Sequence, residues 1–147
     1  MKLSENFSLH EFERSHTAKI HGIANKATGS VLENIKLLVT NVLQPARTAL
    51  GIPINIGSGY RSPELNKKVK GAKFSQHMFG MAADLKCENN RALFVWLLHN
   101  TPFDQLIWEY GDDNQPQWVH VSFDKNRSRK QVLRIDQNGR RVLQCAP

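Results

Sequence analysis

Ser75-Gln76-His77-Met78-Phe79-Gly80-Met81-Ala82-Ala83-Asp84 is the stretch that the rest of the chain is organised to hold. It sets an imidazole and a carboxylate seven positions apart, with Gly80, Ala82 and Ala83 between them. A third donor, His120, follows downstream in Trp118-Val119-His120-Val121-Ser122. Two histidines and one carboxylate are the donor set of a zinc site that keeps a fourth position open for water, a catalytic composition rather than a structural one. A single histidine in a globular protein is more often a packed or surface residue than a ligand, so the weight rests on the three donors together. From Gly80 onward the stretch alternates as a short strand, with Gly80, Ala82 and Asp84 on one face and Met81, Ala83 and Leu85 on the other. Asp84 then points across small side chains, where a carboxylate is costly unless a cation or hydrogen-bond donors satisfy it.

Downstream, the pattern predicts two strands, about residues 105–110 and 117–123, joined by Gly111-Asp112-Asp113-Asn114-Gln115-Pro116. In the second strand Trp118, His120 and Ser122 share a face, and Val119, Val121 and Phe123 share the other. Opposed residues of an antiparallel pair lie on the same side of the sheet. The six-residue connection sets Ile107 opposite His120 and Glu109 opposite Trp118, which brings Glu109 onto the His120 face; a one-residue slip would turn it away.

Upstream, Ile52 to Ser58 reads as a strand that releases Arg61 in the turn Ser58-Gly59-Tyr60-Arg61-Ser62, where a guanidinium could receive a carboxylate through two parallel hydrogen bonds or remain a surface arginine. A short basic helix follows from Pro63 to about Val69. Val31, Ile35, Leu38, Val39, Val42, Leu43, Ala46 and Leu50 keep the spacing of one buried helix face over residues 30–50, with Pro45 as the place for a kink and Gly51 as the stop. A further helix is expected over residues 90–99, and Ser8 with Glu11 forms a capping pair for a short opening helix. These elements assemble as an α+β domain. Its small antiparallel sheet, from the strands near Ile54, Ala82, Ile107 and His120, carries the metal on one face and packs the helices of residues 30–50 and 90–99 on the other.

At 147 residues the chain is one domain's worth, with 40% hydrophobic and 22% charged residues, ordinary for a globular protein. Nothing in it reads as a membrane span or as a secretory leader, so cytoplasmic synthesis is expected, with any action outside the cytoplasm depending on another delivery route. Cys87 and Cys145 have no C-x-x-C spacing and are expected as free thiols, Cys87 buried after the Asp84 strand. Much of the net charge of +7 sits in residues 124–147, a basic hairpin or tail with seven Lys or Arg against two Asp. Such a run suits an anionic polymer or surface, or simply a solvated hairpin. It holds no aromatic platform or nucleic-acid motif, so no nucleic-acid partner is expected.

The three motifs Ser58-Gly59-Tyr60-Arg61-Ser62, Ser75-x-His77-x-x-Gly80-x-Ala82-x-Asp84 and Trp118-Val119-His120-Val121-Ser122, in that order, resemble the zinc D-Ala-D-Ala carboxypeptidase family, which shares its fold with the metal-binding amino-terminal domain of hedgehog proteins. The resemblance implies His77, Asp84 and His120 as zinc ligands, Arg61 as the holder of a substrate carboxylate and Ser75 as a substrate-contacting hydroxyl. It implies hydrolysis of a peptide bond in bacterial peptidoglycan, by a D,D-carboxypeptidase or by an endolysin-type endopeptidase delivered by a phage, with the chain expected as a monomer. One position departs from the family's pattern: the acid three residues before the last histidine is Gln117, which cannot take a proton at neutral pH. Glu109 is then the expected general base, ahead of Asp112 and Asp113 in the loop. The alternative is a catalytically inactive zinc-containing binding module.

Overall fold

The computed structural model describes residues 1–143; Cys145 lies outside the described residues. Short helices α1 (Leu9–Glu13) and α2 (His16–Ile20) lead into α3 (Gly29–Leu38), a π-helical turn (Val39–Leu43) and α4 (Gln44–Leu50). Then come β1 (Asn55–Ser58), α5 (Pro63–Lys68), a 3-10 turn (Gln76–Phe79), β2 (Ala82–Lys86), α6 (Asn90–Asn100), β3 (Gln105–Glu109), β4 (Trp118–Ser122), β5 (Gln131–Asp136) and β6 (Gly139–Val142). Local chemistry starts the helices where it should. The Ser8 N–H donates to the Glu11 carboxylate at 2.7 Å, Ser62 Oγ accepts from the Leu65 N–H at 3.2 Å, and Asn89 Oδ1 accepts from the Ala92 N–H at 3.0 Å. Each such cap satisfies a backbone donor that the helix leaves open.

The strands form one sheet in the order β1-β2-β4-β3-β5-β6. The expected antiparallel core is present: β2 pairs with β1 and β4, and β4 with β3. Ile107 stands opposite His120 and Glu109 opposite Trp118, the register inferred from the connection length. Val119, Val121, Leu85 and Ala83 point to the other face and are fully buried against Ile35, Leu38, Val42 and Leu43 of the long helical segment and Leu93 and Leu97 of α6. Each large aliphatic side chain buried this way contributes about 1.5–3 kcal/mol. Helices thus cover one face, and the other is left for the site. Among the described residues, no helix is long and apolar enough to cross a membrane.

The structure adds to this outline at several points. The basic segment after β4 continues the sheet: β5 runs parallel to β3, and β6 returns antiparallel to β5. The long helix does not break at Pro45. Proline offers no N–H and crowds the preceding turn, and the segment just before it widens into a π turn in which the Gln44 N–H reaches Val39 O. Cys87 is half-buried rather than buried. The strand after the central motif begins at Ala82, not Gly80, because Gly80 takes a left-handed conformation (φ +72°) and closes the 3-10 turn.

Gly80 is also where the motif touches α3. A Cβ at this position would come within 2.4 Å of the Val31 carbonyl oxygen, in a backbone conformation already unfavourable for an L side chain. Gly80→Ala is therefore expected to destabilise the fold by about 2–4 kcal/mol, combining strain with forced movement of α3. Urea denaturation checks this, and an unchanged midpoint would show that the contact is not a constraint.

Candidate metal centre

Asp84 and His120 are directly opposed across the β2–β4 ladder, so both side chains rise from the same face. His120 Nδ1 lies 2.9 Å from Asp84 Oδ1. His77 comes from the 3-10 turn, its Nε2 3.6 Å from the same oxygen, and the two imidazole rings are 5.2 Å apart. One donor atom from each of the three residues lies within 4.8 Å of the others. Bonds of about 2.0–2.2 Å at tetrahedral angles separate neighbouring ligand atoms by roughly 3.3 Å, and the two contacts to Asp84 bracket that spacing. The residues fit a zinc ion.

Their electrostatics agree with this. Burial would raise the proton affinity of Asp84, but its bonds to His120 and His77 outweigh burial and hold the carboxyl well below its usual range. Burial pushes His77 down, toward the neutral form. His77 Nδ1 faces the Gly59 carbonyl at 2.7 Å, which makes Nδ1 the protonated nitrogen and leaves the Nε2 lone pair for a metal. Gly59 can come this close only as glycine, since a Cβ there would meet Phe12 Cα at 2.7 Å.

All six residues singled out in the sequence, Arg61, Ser75, His77, Asp84, Glu109 and His120, line one groove of about 550 Å³, a size suited to a ligand of a few residues. The Arg61 N–H bonds the His77 carbonyl at 3.1 Å, and Arg61 Nη2 donates to Ser75 Oγ at 3.2 Å. Arg61 Nε is buried and has no partner among the described residues. Ser75 Oγ also accepts from the His77 N–H at 3.2 Å, capping the turn that carries the histidine. Glu109 stands on the His120 face, its proton affinity raised first by burial and then by the charge of Asp84. Asp112 instead closes its own loop through the Asn114 and Gln115 N–H groups, and Asp113 pairs with Arg134 at 2.6 Å; neither lines the groove. Gln117 is exposed and does not line it either.

An α+β sheet with helices on one face and a His-Asp-His group in a groove on the other defines a domain built around one candidate metal centre. The chain belongs to the peptidase M15 family, whose model matches residues 5–122. Over 82 residues it is 39% identical to a zinc D-Ala-D-Ala carboxypeptidase of Streptomyces albus G, an alignment that covers 54% of this chain and 31% of that protein. The chain thus matches about a third of the length of this relative.

Two supports of the site carried no signal in the sequence. Asn25, buried, donates to the Tyr60 carbonyl at 2.9 Å and accepts from the Ser62 N–H at 2.8 Å, which fixes the turn bearing Arg61. Asp104, with no exposed surface, accepts from Gln76 Nε2 at 2.9 Å, next to His77, and from Arg129 Nε and Nη2 at 2.9 and 2.8 Å. It ties the ligand-bearing turn to the segment that enters β5. Burial works to raise the Asp104 pKa, but Arg129 and Gln76 outweigh it and lower it to about 2. Its folded-state value lies below its unfolded one of about 3.9, so its stabilisation is present above pH ~4 and is lost as pH falls toward 2. In Asp104→Asn the drop in unfolding free energy between pH 5 and pH 2 should shrink by roughly 2 kcal/mol relative to the parent; parallel acid profiles would contradict it.

Proposed function

We propose that the chain is a zinc-dependent peptidase that hydrolyses a peptide bond in bacterial peptidoglycan stem peptides. The observation that carries this reading is the convergence of His77, Asp84 and His120 in a groove that also holds the raised carboxylate of Glu109. The family match and the relative's name support the same substrate class.

His77, Asp84 and His120 hold the metal in this reading. When bound, zinc supplies Lewis acidity toward a carbonyl and lowers the pKa of water to about 7. Glu109 is the general base: burial and the neighbouring Asp84 charge make it a better proton acceptor than an exposed carboxylate. It takes the proton of the attacking water and delivers it to the leaving amine, so no covalent enzyme intermediate is required. Arg61, which lines the groove, pairs with a substrate carboxylate, and its bond to Ser75 fixes the fork. The Ser75 hydroxyl remains near enough to contact the same ligand.

His77→Ala and His120→Ala are expected to lose zinc, measured by metal analysis after dialysis, and to lose the thermal stabilisation that added zinc gives the parent. Unchanged zinc content in either variant would remove that residue from the ligand set. Incubation of the parent with purified peptidoglycan should release new amino termini, whose sequence identifies the bond, and a chelator should stop the release. Glu109→Gln should keep its zinc and lower the rate by about 10²-fold or more, whereas Gln117→Ala should cost far less. A parent that binds zinc fully but releases no amino terminus would be a binding module, and the hydrolase reading would fall.

A further inference from the structure

Beyond the metal, the groove runs along the sheet to β5 and β6, the hairpin that follows the family match at residue 122. The register places its residues. Glu109 stands beside Ile135, and Ile135 opposite Arg140, so Glu109, Ile135 and Arg140 form one row on the groove face. Ile107 stands beside Leu133 in the adjacent row on that face. The hairpin therefore adds Leu133 and Ile135 to Ile107 of β3, making an apolar floor that ends at an exposed guanidinium.

The arginines of the hairpin differ by face. Arg134 and Arg141, directed to the opposite face, are matched: Arg134 bonds Asp113 at 2.6 Å and approaches Asp136 at 3.4 Å, and Arg141 bonds Asp136 at 2.8 Å. On the groove side, Arg129 is held by Asp104 and Arg127 pairs with Asp124 at 3.4 Å. Arg140 has no hydrogen bond or ion pair to any of the described residues. It is a cation at the end of a hydrophobic track, with no anion among the described residues to answer it.

We infer that Arg140 forms a second anion subsite, which selects peptides bearing a carboxylate on the far side of the cleaved bond from the one held by Arg61. Arg61 follows β1, at the β1–β2 end of the sheet, and Arg140 lies on β6 at the other end, so the two guanidinium groups bracket the centre. Two strand spacings of about 4.8 Å separate the Glu109 and Arg140 backbones, roughly 10 Å, which an extended peptide covers in about three residues. The substrate is then a short acidic peptide with one carboxylate at the Arg61 end and another two to four residues before the cleaved bond. The inference rests on the peptidase reading of the same groove.

The test uses the zinc-loaded protein and synthetic peptides ending in D-Ala-D-Ala, with Glu or Gln placed two, three or four residues before the cleaved bond. For one placement the parent should favour Glu over Gln by about fivefold to tenfold in kcat/KM, chiefly through KM, with the preference weakening as salt is raised. Arg140→Gln should cleave the Glu and Gln peptides with equal kcat/KM, and Arg140→Glu should reverse their order. Hydrolysis without any Glu preference, or a preference that survives Arg140→Gln, overturns the subsite and leaves the peptidase reading standing. Titration calorimetry of the same peptides covers a parent that does not hydrolyse them. Tighter binding of a Glu peptide that is lost in Arg140→Gln keeps the subsite, and equal or absent binding removes it, while the peptidoglycan digest decides the hydrolase reading separately.

Discussion

The candidate site depends on keeping one ionised carboxylate, Asp84, between two imidazoles on the floor of a groove. A carboxylate buried there without partners would be neutralised or would destabilise the domain. Its contacts to His120 at 2.9 Å and His77 at 3.6 Å keep it charged. Each histidine is delivered by a different device. His120 needs only the correct β2–β4 register, because the ladder sets it opposite Asp84. His77 has no ladder and is fixed by a set of short-range bonds: Gly59 O on its ring, Ser75 Oγ on its N–H and the Arg61 N–H on its carbonyl.

That asymmetry explains why the region before the sheet is dense in polar contacts. Asn25 holds the turn from Tyr60 to Ser62, the turn holds His77, and Gln76 reaches Asp104 at the start of β3. The ion pair of Asp104 with Arg129 then extends the network to β5. Buried polar networks are favourable only when every member is satisfied, and Asp104 has both carboxylate oxygens engaged. The ligand turn and the hairpin that lengthens the groove are thus joined through one buried acid.

The antiparallel half of this architecture was legible in the sequence, because its determinants are local. Alternation along Trp118–Ser122 assigns the faces, and a connection of fixed length assigns the register, so Glu109 could be placed on the His120 face from residue counting alone. The three candidate metal donors and Arg61 stood out by their motifs, and the fold brings them to one groove. The parallel pairing of β5 with β3 was not, since it joins segments that no hairpin connects, and the segment's charge made it read as a basic hairpin or tail rather than as part of the groove. The same holds for Asp104 and Asn25: a lone polar residue gives no sign in the sequence of what it will bond. The Gly80 offset escaped for a different reason. Alternation continues through it in sequence, whereas its positive φ and the close approach of α3 appear only in the folded chain.

The substitution at position 117 becomes intelligible in these terms. A residue three before His120 cannot share its face by alternation, so an acid there must reach the groove by bending around the strand's first residue. Here Gln117 is exposed, its N–H is bonded to Glu109 O at 2.9 Å and its carbonyl accepts from Asn90 at 3.1 Å. Its backbone is committed to closing the hairpin. Glu109, one strand over and diagonal to His120, needs no such bend, because the pleat already directs it into the groove. The base that we assign to Glu109 is therefore positioned by regular strand geometry, which holds a side chain more accurately than a loop does. The same burial that raises its proton affinity is provided by the sheet rather than by a separate lid.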